Sequence, residues 1–402
     1  MTRTPNWKRT RTLAGALTVA VLTLVAAAKT PKEGQQDQQT QEPLITNLYP
    51  SRTVEFPAPA PVVVSPGTGC DANANIYIQY SQALEDIYRA VQERRPTNFP
   101  LRKFSFGSGQ VVTFPVGPFQ GYNWFNTASF YVTPNGDVYD LAMACGDAAG
   151  PEHCNWLVAK YKDDGTVGSL IALRPRLPED LRLNAVLFAV FPDGNLLVAG
   201  HAQARDGSMK PFTGIFDRSG GFQSELTLPG DVGPSPPPES VVNPSAESPA
   251  AGSSASAKPS KTREAIVGLE RAVSGSRLVG APDGTIYLVR GGSPSRLYVL
   301  SSYGSVLREQ TITPPAGGLS PFNMSVNARG QLAIFYTRSP HAQNTGPSSV
   351  LALVDPQTGK IVSTYALPPQ AGAPACVTGQ GMVLFVQQSK SGHFEVAKYA
   401  PQ

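Results

Sequence analysis

The sequence has few charged residues: they make up 15% of the chain, against a typical share of about 25%. Beyond the N-terminal leader it has no apolar run of about 18 residues or more, so no later segment is expected to cross a membrane as a helix. No serine-nucleophile, phosphate-loop or dinucleotide fingerprint occurs in the strand–turn–helix context that each requires. Gly and Pro are abundant, with 38 of each, which favours short strands joined by turns.

The first 28 residues have the pattern of an export signal. Four basic residues precede an apolar run over residues 13–28, which ends in three alanines. Small residues at that point predict cleavage between Ala28 and Lys29. The alternative is an uncleaved anchor helix, for which this run of 16 residues is slightly short.

The net charge of +4 depends on this leader. Cleavage removes four basic residues and no acid, which leaves 29 Lys+Arg against 29 Asp+Glu. A mature chain with zero net charge is not expected to bind nucleic acid through a general basic surface.

The chain has four cysteines and no CxxC pair. In an exported protein this favours two disulfides over a metal site. Cys145 and Cys154 flank a loop of small residues and are expected to pair, which leaves Cys70 and Cys376 as the second pair by elimination. The expected location is periplasmic or extracellular.

A unit of four short strands occupies residues 187–230, and imperfect copies of it follow one another along the chain. The first strands of the five complete copies are expected at 61–66, 129–134, 187–191, 277–282 and 323–328. Glycine-containing pairs such as Asp193-Gly194 recur at nine matched turns. They supply the positive φ that tight hairpin turns require.

A sixth copy begins at residues 376–378, and the sequence supplies only three strands for it. Residues 52–57 have the form of the missing fourth strand and end in a proline. We therefore predict an all-β, six-bladed β-propeller over residues 52–402, closed by an N-terminal strand that completes the last blade. Two packed β-sandwiches are the alternative, but they do not predict repeats in register.

Three segments are expected to lie outside the repeats. Residues 29–51 are polar and rich in Gln, which predicts a flexible tether. Residues 82–98 have apolar spacing typical of a short amphipathic helix. Residues 231–261 are rich in Pro, Ser and Ala, which predicts a disordered surface insertion; a linker between two independent halves is the alternative.

The repeat patterns xPDGxxYVxx and LxxxDxxGxxxxxxxLP resemble those of NHL and TolB-like six-bladed propellers, and PQQ-type and YncE-like propellers have similar repeats. The resemblance covers roughly residues 52–400. It implies binding on one face or in the central channel. Members of the NHL kind mostly serve as interaction scaffolds, although the same architecture also carries hydrolases and lyases.

Lactonases of this architecture hold a divalent cation with Glu, Asn and Asp side chains from inner strands. The expected inner strands here have no Glu or Asp, but Asn126, Asn184 and Asn323 lie at or just before their starts. Neutral amides alone make a poor cation site. We therefore expect neither a resident metal nor a cofactor.

Two further groups are candidates for ligand contact. His153, His201 and His341 fall between second and third strands, in loops that share one face of a propeller. Without HxH or HExxH spacing they are expected to be ordinary loop histidines, with a ligand or metal surface as the alternative. Tyr122 and Trp124 lead into the second unit, where aromatic side chains line a channel mouth or fill the gap between blades.

The sequence thus favours an exported, non-enzymatic propeller, expected to be monomeric, that binds a protein, peptide or glycan. A metal-assisted hydrolase or lactonase with a site at the channel mouth is the alternative function. The candidate ligand-binding residues are Tyr122, Trp124, Asn126, Asn184, His201, Asn323 and His341.

Overall fold

A computed structural model describes residues 45–59, 67–79, 100–114, 119–122, 124–146, 154–229, 276–291, 294–338 and 347–401. All of them lie in one compact unit, Pro43–Gln402. They form 24 β-strands joined by turns and loops, so the expected all-β class is confirmed. Within these ranges no helix is long and apolar enough to cross a membrane.

Sixteen of the strands form four antiparallel sheets, here called units one to four, in which the strands follow chain order. Unit one contains β2 (Gly67–Cys70), β3 (Ile76–Gln79), β4 (Leu101–Ser105) and β5 (Gln110–Phe114). Unit two contains β6 (Trp124–Val132), β7 (Val138–Cys145), β8 (Cys154–Tyr161) and β9 (Val167–Ala172). Unit three contains β10 (Leu181–Val190), β11 (Leu196–Ala204), β12 (Met209–Phe216) and β13 (Phe222–Glu225). Unit four contains β14 (Arg277–Gly280), β15 (Ile286–Arg290), β16 (Ser295–Leu300) and β17 (Val306–Ile312).

The remaining eight strands form one sheet. They are β1 (Ile45–Pro59), β18 (Leu319–Val326), β19 (Leu332–Arg338), β20 (Ser349–Val354), β21 (Ile361–Ala366), β22 (Ala373–Val377), β23 (Val383–Gln388) and β24 (His393–Pro401). Their order is β18-β19-β20-β21-β1-β24-β23-β22. Strand β1 links the two halves, because its start pairs in parallel with β21 and the rest pairs antiparallel with β24.

The first strands of units one to four meet at the centre of the molecule, together with β18 and β22, the two edge strands of the eight-stranded sheet. In the sequence β2, β6, β10, β14, β18 and β22, each strand contacts the next, and β22 contacts β2. In units one to four the later strands follow outward in hydrogen-bonded order, and in the eight-stranded sheet the strands follow outward from β18 and from β22. The arrangement is therefore propeller-like, with sheets placed around a central axis.

The hydrophobic core lies between the faces of neighbouring sheets. Between units one and two, Tyr77 and Phe114 pack with Leu157 and Tyr161. Strand β15, the second of unit four, is buried at every position, whereas the outer strand β17 is largely exposed. Second strands therefore have continuous apolar sequences, because both of their faces are covered.

The nine expected turns all contain a glycine with positive φ, between 70° at Gly359 and 91° at Gly136. The nine are Gly109, Gly136, Gly165, Gly194, Gly220, Gly284, Gly304, Gly330 and Gly359. At Gly220 the requirement is also steric, since a Cβ there would lie 2.0 Å from the carbonyl oxygen of Ala172. The turn glycines thus shape the hairpins, and at this position they also allow contact between sheets.

The described first strand of unit one lies later than the expected one. The expected range, residues 61–66, lies outside the described residues, and the strand that pairs with β3 is the glycine-rich β2, Gly67–Cys70. A Cβ on Gly67 would lie 3.0 Å from a ring carbon of Phe130 in unit two. This close approach explains why a strand without an apolar pattern occupies the position.

Four first strands begin earlier than expected, at Trp124, Leu181, Leu319 and Ala373. Each contains a β-bulge, which breaks the alternation of apolar residues, so the pattern starts only after it.

The predicted tether at 29–51 is also too long at its C-terminal end. Strand β1 begins at Ile45, where it pairs with Thr364, and Leu48 is buried. The export signal, the helix at 82–98 and the insertion at 231–261 lie outside the described residues.

Candidate functional site

A cavity of about 340 Å³ lies among the first strands of the ring. Three residues that line it, Ala128, Val186 and Phe322, are the bulged residues of β6, β10 and β18. A bulge leaves one residue without a partner in the strand ladder and redirects the chain. The three bulges therefore place irregular backbone on three sides of the same cavity.

The polar wall of this central cavity includes Ser129, Arg277 and Asn323. Each lies three residues before the end of its first strand, and so at the same distance from the following hairpin turn. Residues at equivalent positions of neighbouring inner strands face the same level of a central channel. The lining contains one guanidinium together with hydroxyls and amides, and no Asp or Glu among the described lining residues.

Asn323 is buried and connects three first strands. Its Nδ2 donates to Thr68 Oγ1 at 2.7 Å and to the carbonyl oxygen of Pro374 at 3.2 Å. Its Oδ1 accepts from the backbone N–H of Met324 at 2.8 Å. The Thr68 hydroxyl also donates to Pro374 O, at 3.0 Å. The side chain therefore fixes the seam where β18, β2 and β22 meet.

The Cys70–Cys376 disulfide crosses the same seam. It joins β2 to β22 with a Cα–Cα distance of 6.0 Å and a separation of 306 residues. Cys70 lines the central cavity. The second disulfide, Cys145–Cys154, joins the paired ends of β7 and β8. Both expected pairings are therefore confirmed, and two disulfides indicate an oxidising, exported environment.

Arg277 supplies the positive charge of the cavity wall. Its Nη1 donates to Ser276 O at 2.6 Å, and its Nε donates to the carbonyl oxygen of Phe322. Arg290 approaches the same serine, with Nη1 at 3.4 Å from Ser276 Oγ, and its Nη2 donates to Thr213 Oγ1 at 2.7 Å. Burial lowers the pKa of the Arg277 guanidinium from its ordinary value. Two partly or fully desolvated guanidinium groups therefore flank Ser276.

The rest of the lining is largely apolar. The buried Oγ of Ser129 has no hydrogen-bond partner among the described residues. Phe130, Leu187 and Met324 contribute apolar side chains. A site with a few placed polar groups and apolar walls is typical of small-ligand pockets.

A buried carboxyl lies behind the wall, between units one and two. Gln79, which lines the cavity, donates from Nε2 to Asp140 Oδ1 at 3.4 Å. Asp140 is 1% exposed, and its Oδ2 has no partner among the described residues. Burial raises the pKa of the Asp140 carboxyl well above its ordinary value, against the opposing hydrogen bonds from Gln79 and the Leu141 backbone. Desolvation thus favours the neutral acid over the carboxylate at this position.

The sequence-derived candidates lie at several places. Asn323 lines the central cavity. Asn126 and Asn184 lie nearer the starts of β6 and β10, outside the cavity lining, and Asn184 Nδ2 is 2.9 Å from His201 Nε2. Tyr122 packs with the core between units one and two, which agrees with the gap-filling alternative.

The side chain of Trp124 and all of His153 and His341 lie outside the described residues. Within the described ranges, no three His, Cys, Asp or Glu side chains converge as a metal site. Sequence reasoning missed Ser129, Arg277 and Asp140. For Asp140 a signal was present, because an acid within the apolar run of a second strand is buried on both sides.

The ring of inner strands defines a propeller-like protein with a cavity at its centre. No family model matches the sequence. No curated protein matches it either.

Many solved structures resemble the fold at low sequence identity. A streptogramin B lyase shares 12% identity with a TM-score of 0.40, over 89% of this chain and 98% of that one. A putative gluconolactonase shares 12% with a TM-score of 0.39, over 89% and 93%. A protein of unknown function from Dyadobacter fermentans shares 9% with a TM-score of 0.48, over 89% and 100%.

Proposed function

We propose that the chain is an exported, non-enzymatic, six-bladed β-propeller that binds one end of a protein, peptide or glycan ligand in the central cavity. The observation that carries the proposal is the cavity itself, in which irregular backbone, one guanidinium, hydroxyls and aromatic surface face a common space. The bound end enters the ring, and the rest of the ligand lies on the face outside it.

Six blades are supported by the contacts of the inner strands. Six first strands follow one another in a closed ring. The eight-stranded sheet divides naturally into β18–β21 and the series β22, β23, β24, β1, each with the four strands of a blade. In this interpretation β1 is the outermost strand of the last blade, and its first residues extend to the outer strand of the neighbouring blade.

The size and rigidity of the cavity support binding. Ligand pockets usually span about 300–1,000 Å³, so a cavity of about 340 Å³ suits a chain end rather than a large molecule. A disulfide and the hydrogen bonds of Asn323 hold the wall. A wall that is already ordered loses little conformational entropy when a ligand binds.

Export is supported by the leader over residues 1–28 together with the two disulfides. In this proposal the mature protein is periplasmic or extracellular. Retention of the leader as an anchor would keep the same propeller at a membrane surface.

The test fills the cavity with a single substitution. Ala128 lines the cavity at an exposed bulge position, and Ala128→Trp introduces a side chain large enough to occupy much of the space. Wild type and variant are screened by ligand-observed NMR against short peptides and oligosaccharides. We expect ligands that bind wild type and lose binding in Ala128→Trp.

Ser224→Trp is the matched control, because Ser224 is exposed on the outer strand β13. It should bind like wild type. Circular dichroism and thermal melting verify that both variants fold. Ligands that bind Ala128→Trp as well as wild type would contradict a cavity site. Turnover of lactones or esters that Ala128→Trp abolishes would contradict the non-enzymatic function.

A further inference from the structure

The polar side chains that line the central cavity are engaged within the protein. Hydrogen bonds to protein oxygens are donated by the side chains of Thr68, Gln79, Arg277 and Asn323. Ser325 Oγ accepts a hydrogen bond from the backbone N–H of Val377, and the Ser129 hydroxyl oxygen is buried. A polar group that already has a partner, or is covered, gains little from a ligand. The wall therefore does not select a charged ligand group.

Apolar side chains of the cavity are left partly uncovered. Phe130, Val186 and Leu187 line it and are half-buried. Among the described residues, Val186 and Leu187 lie outside the apolar clusters that pack between the sheets. An apolar group that covers their surface removes it from water, which favours binding. The wall therefore selects an apolar ligand group.

Phe130 gives this apolar surface a fixed shape. Its ring lies against Gly67 and Gly69 of β2, where an added Cβ would lie 3.0 Å and 3.3 Å from ring carbons. Met324 also lines the cavity, and a thioether makes favourable contacts with aromatic rings. A cavity of about 150 Å³ holds benzene. The central cavity, at about 340 Å³, accommodates a phenyl ring and part of the chain that carries it.

The bulges and the apolar surface favour a peptide over a glycan. Ala128 and Val186 each stand opposite no residue of the neighbouring strand. Backbone groups released from a strand ladder are available to the main chain of an extended ligand. A sugar carries hydroxyl groups around its ring, and apolar side chains would leave them without hydrogen bonds.

On the basis of the proposed cavity function, we propose that this cavity binds a bulky, uncharged apolar side chain of a peptide, such as that of phenylalanine. Phe130, Val186, Leu187 and Met324 contact the bound side chain, and the polar parts of the peptide lie outside the apolar surface.

The test compares capped peptides that differ at one residue. N-acetylated Ala-Ala-X-Ala-Ala amides carry Phe, Ala, Glu or Lys at X, and isothermal titration calorimetry measures their binding to the mature protein. We expect the Phe peptide to bind about tenfold more tightly than the other three. Its binding should have a negative heat-capacity change, which marks the burial of apolar surface. Higher salt should leave the preference unchanged, since no charge pair contributes to it.

Variants of the wall assign this preference to a residue. Leu187→Asn places an amide in the apolar surface and should weaken binding of the Phe peptide about tenfold, with little effect on the Ala peptide. Leu187→Ala shortens the side chain without adding a polar group and should cost about threefold, which keeps the test open if the Asn variant is unstable. Leu307→Asn is the matched control, since Leu307 is 55% exposed on the outer strand β17, and should change nothing.

Several outcomes would overturn the inference and leave the proposed function standing. Equal binding of the Phe and Ala peptides, lost in Ala128→Trp, would reject the apolar side chain and keep the cavity site. Tighter binding of the Glu or Lys peptide would reject an uncharged group. Benzyl alcohol that binds as tightly as the Phe peptide would assign the site to free aromatic molecules and reject the peptide.

Two further outcomes concern both proposals. Binding of the Phe peptide that is unchanged in Ala128→Trp and in Leu187→Asn would reject both the inference and the cavity site. No binding by any of the four peptides would reject the inference, while the wider ligand screen with Ala128→Trp still tests the proposed function.

Discussion

The two disulfides differ in what they hold together. Cys145 and Cys154 are nine residues apart and occupy directly paired positions of neighbouring strands. Cys70 and Cys376 lie in different sheets and are 306 residues apart. The first bond reinforces a hairpin that the backbone already forms. The second joins β2 to β22 at the seam. Among the described residues, the hydrogen bonds between first strands at this seam involve side chains.

Loop length sets the expected energies of the two bonds. In the chain-entropy description a disulfide stabilises by restricting the unfolded chain, and the effect grows with the loop it closes. The estimate is about 5 kcal/mol for the 306-residue loop and about 2–3 kcal/mol for the nine-residue loop. The seam should therefore depend on its disulfide far more than the hairpin does.

Removal of the seam disulfide should have the largest effect. We expect Cys70→Ala with Cys376→Ala to lower the free energy of unfolding by about 5 kcal/mol, as measured by urea denaturation. Because Cys70 lines the central cavity, ligand binding should weaken in the same variant. An unchanged denaturation midpoint would show that the seam is held without the covalent bond.

The hairpin pair gives the matched comparison. Cys145→Ala with Cys154→Ala should cost about 2–3 kcal/mol and leave ligand binding unchanged, since neither residue lines the cavity. A larger loss here than in the seam variant would reverse the comparison.

Asn323→Ala tests the side-chain part of the seam. It removes hydrogen bonds to Thr68 and Pro374 in a buried setting, and a loss of about 2 kcal/mol is expected. Asn184→Ala is the control at an exposed position, where it removes the contact with His201, and its cost should be under about 0.5 kcal/mol. Equal costs would show that the burial of Asn323 contributes nothing.

The interface between units one and two offers a smaller effect that depends on pH. The Asp140 carboxyl has a pKa near 3.9 when unfolded and a higher pKa when folded. Between these two values the folded protein binds more protons than the unfolded chain. Wild-type stability therefore falls as pH rises from about 4 through the folded pKa.

Asp140→Asn lacks this titration, so it should be more stable than wild type at pH 7 and similar to it near pH 4. Melting temperatures across pH 4–8 measure the difference. Gln79→Leu, which keeps the carboxyl and removes the bond from Gln79, should retain the fall with pH. A constant offset between wild type and Asp140→Asn would assign the effect to packing.

The sequence predicted the parts of this fold that depend on local chemistry. Glycine pairs located the hairpins, because positive φ is required within the turn itself. Both disulfides followed from spacing and elimination. The starts of β6, β10, β18 and β22 were missed, because a bulge shifts the apolar alternation by one residue.

The central cavity was beyond sequence reasoning for a different reason. Thr68 and Asn323 are 255 residues apart and hydrogen-bonded, and no spacing rule connects them. Arg277 stood at the start of a correctly predicted strand, but nothing local showed that it faced the axis. Asn323 was selected for a ligand role, and the structure places its amide in contacts between strands.

The pairing of β1 makes the fold dependent on a strand far along the chain. Glu55 contacts His393, 338 residues later, so most of β1 lacks a pairing strand until β24 is present, and only its start can pair with β21. A product truncated before β24 would leave a long strand with open backbone groups, which is a template for aggregation. Coverage of β1 therefore depends on β24, a strand far from it in the sequence.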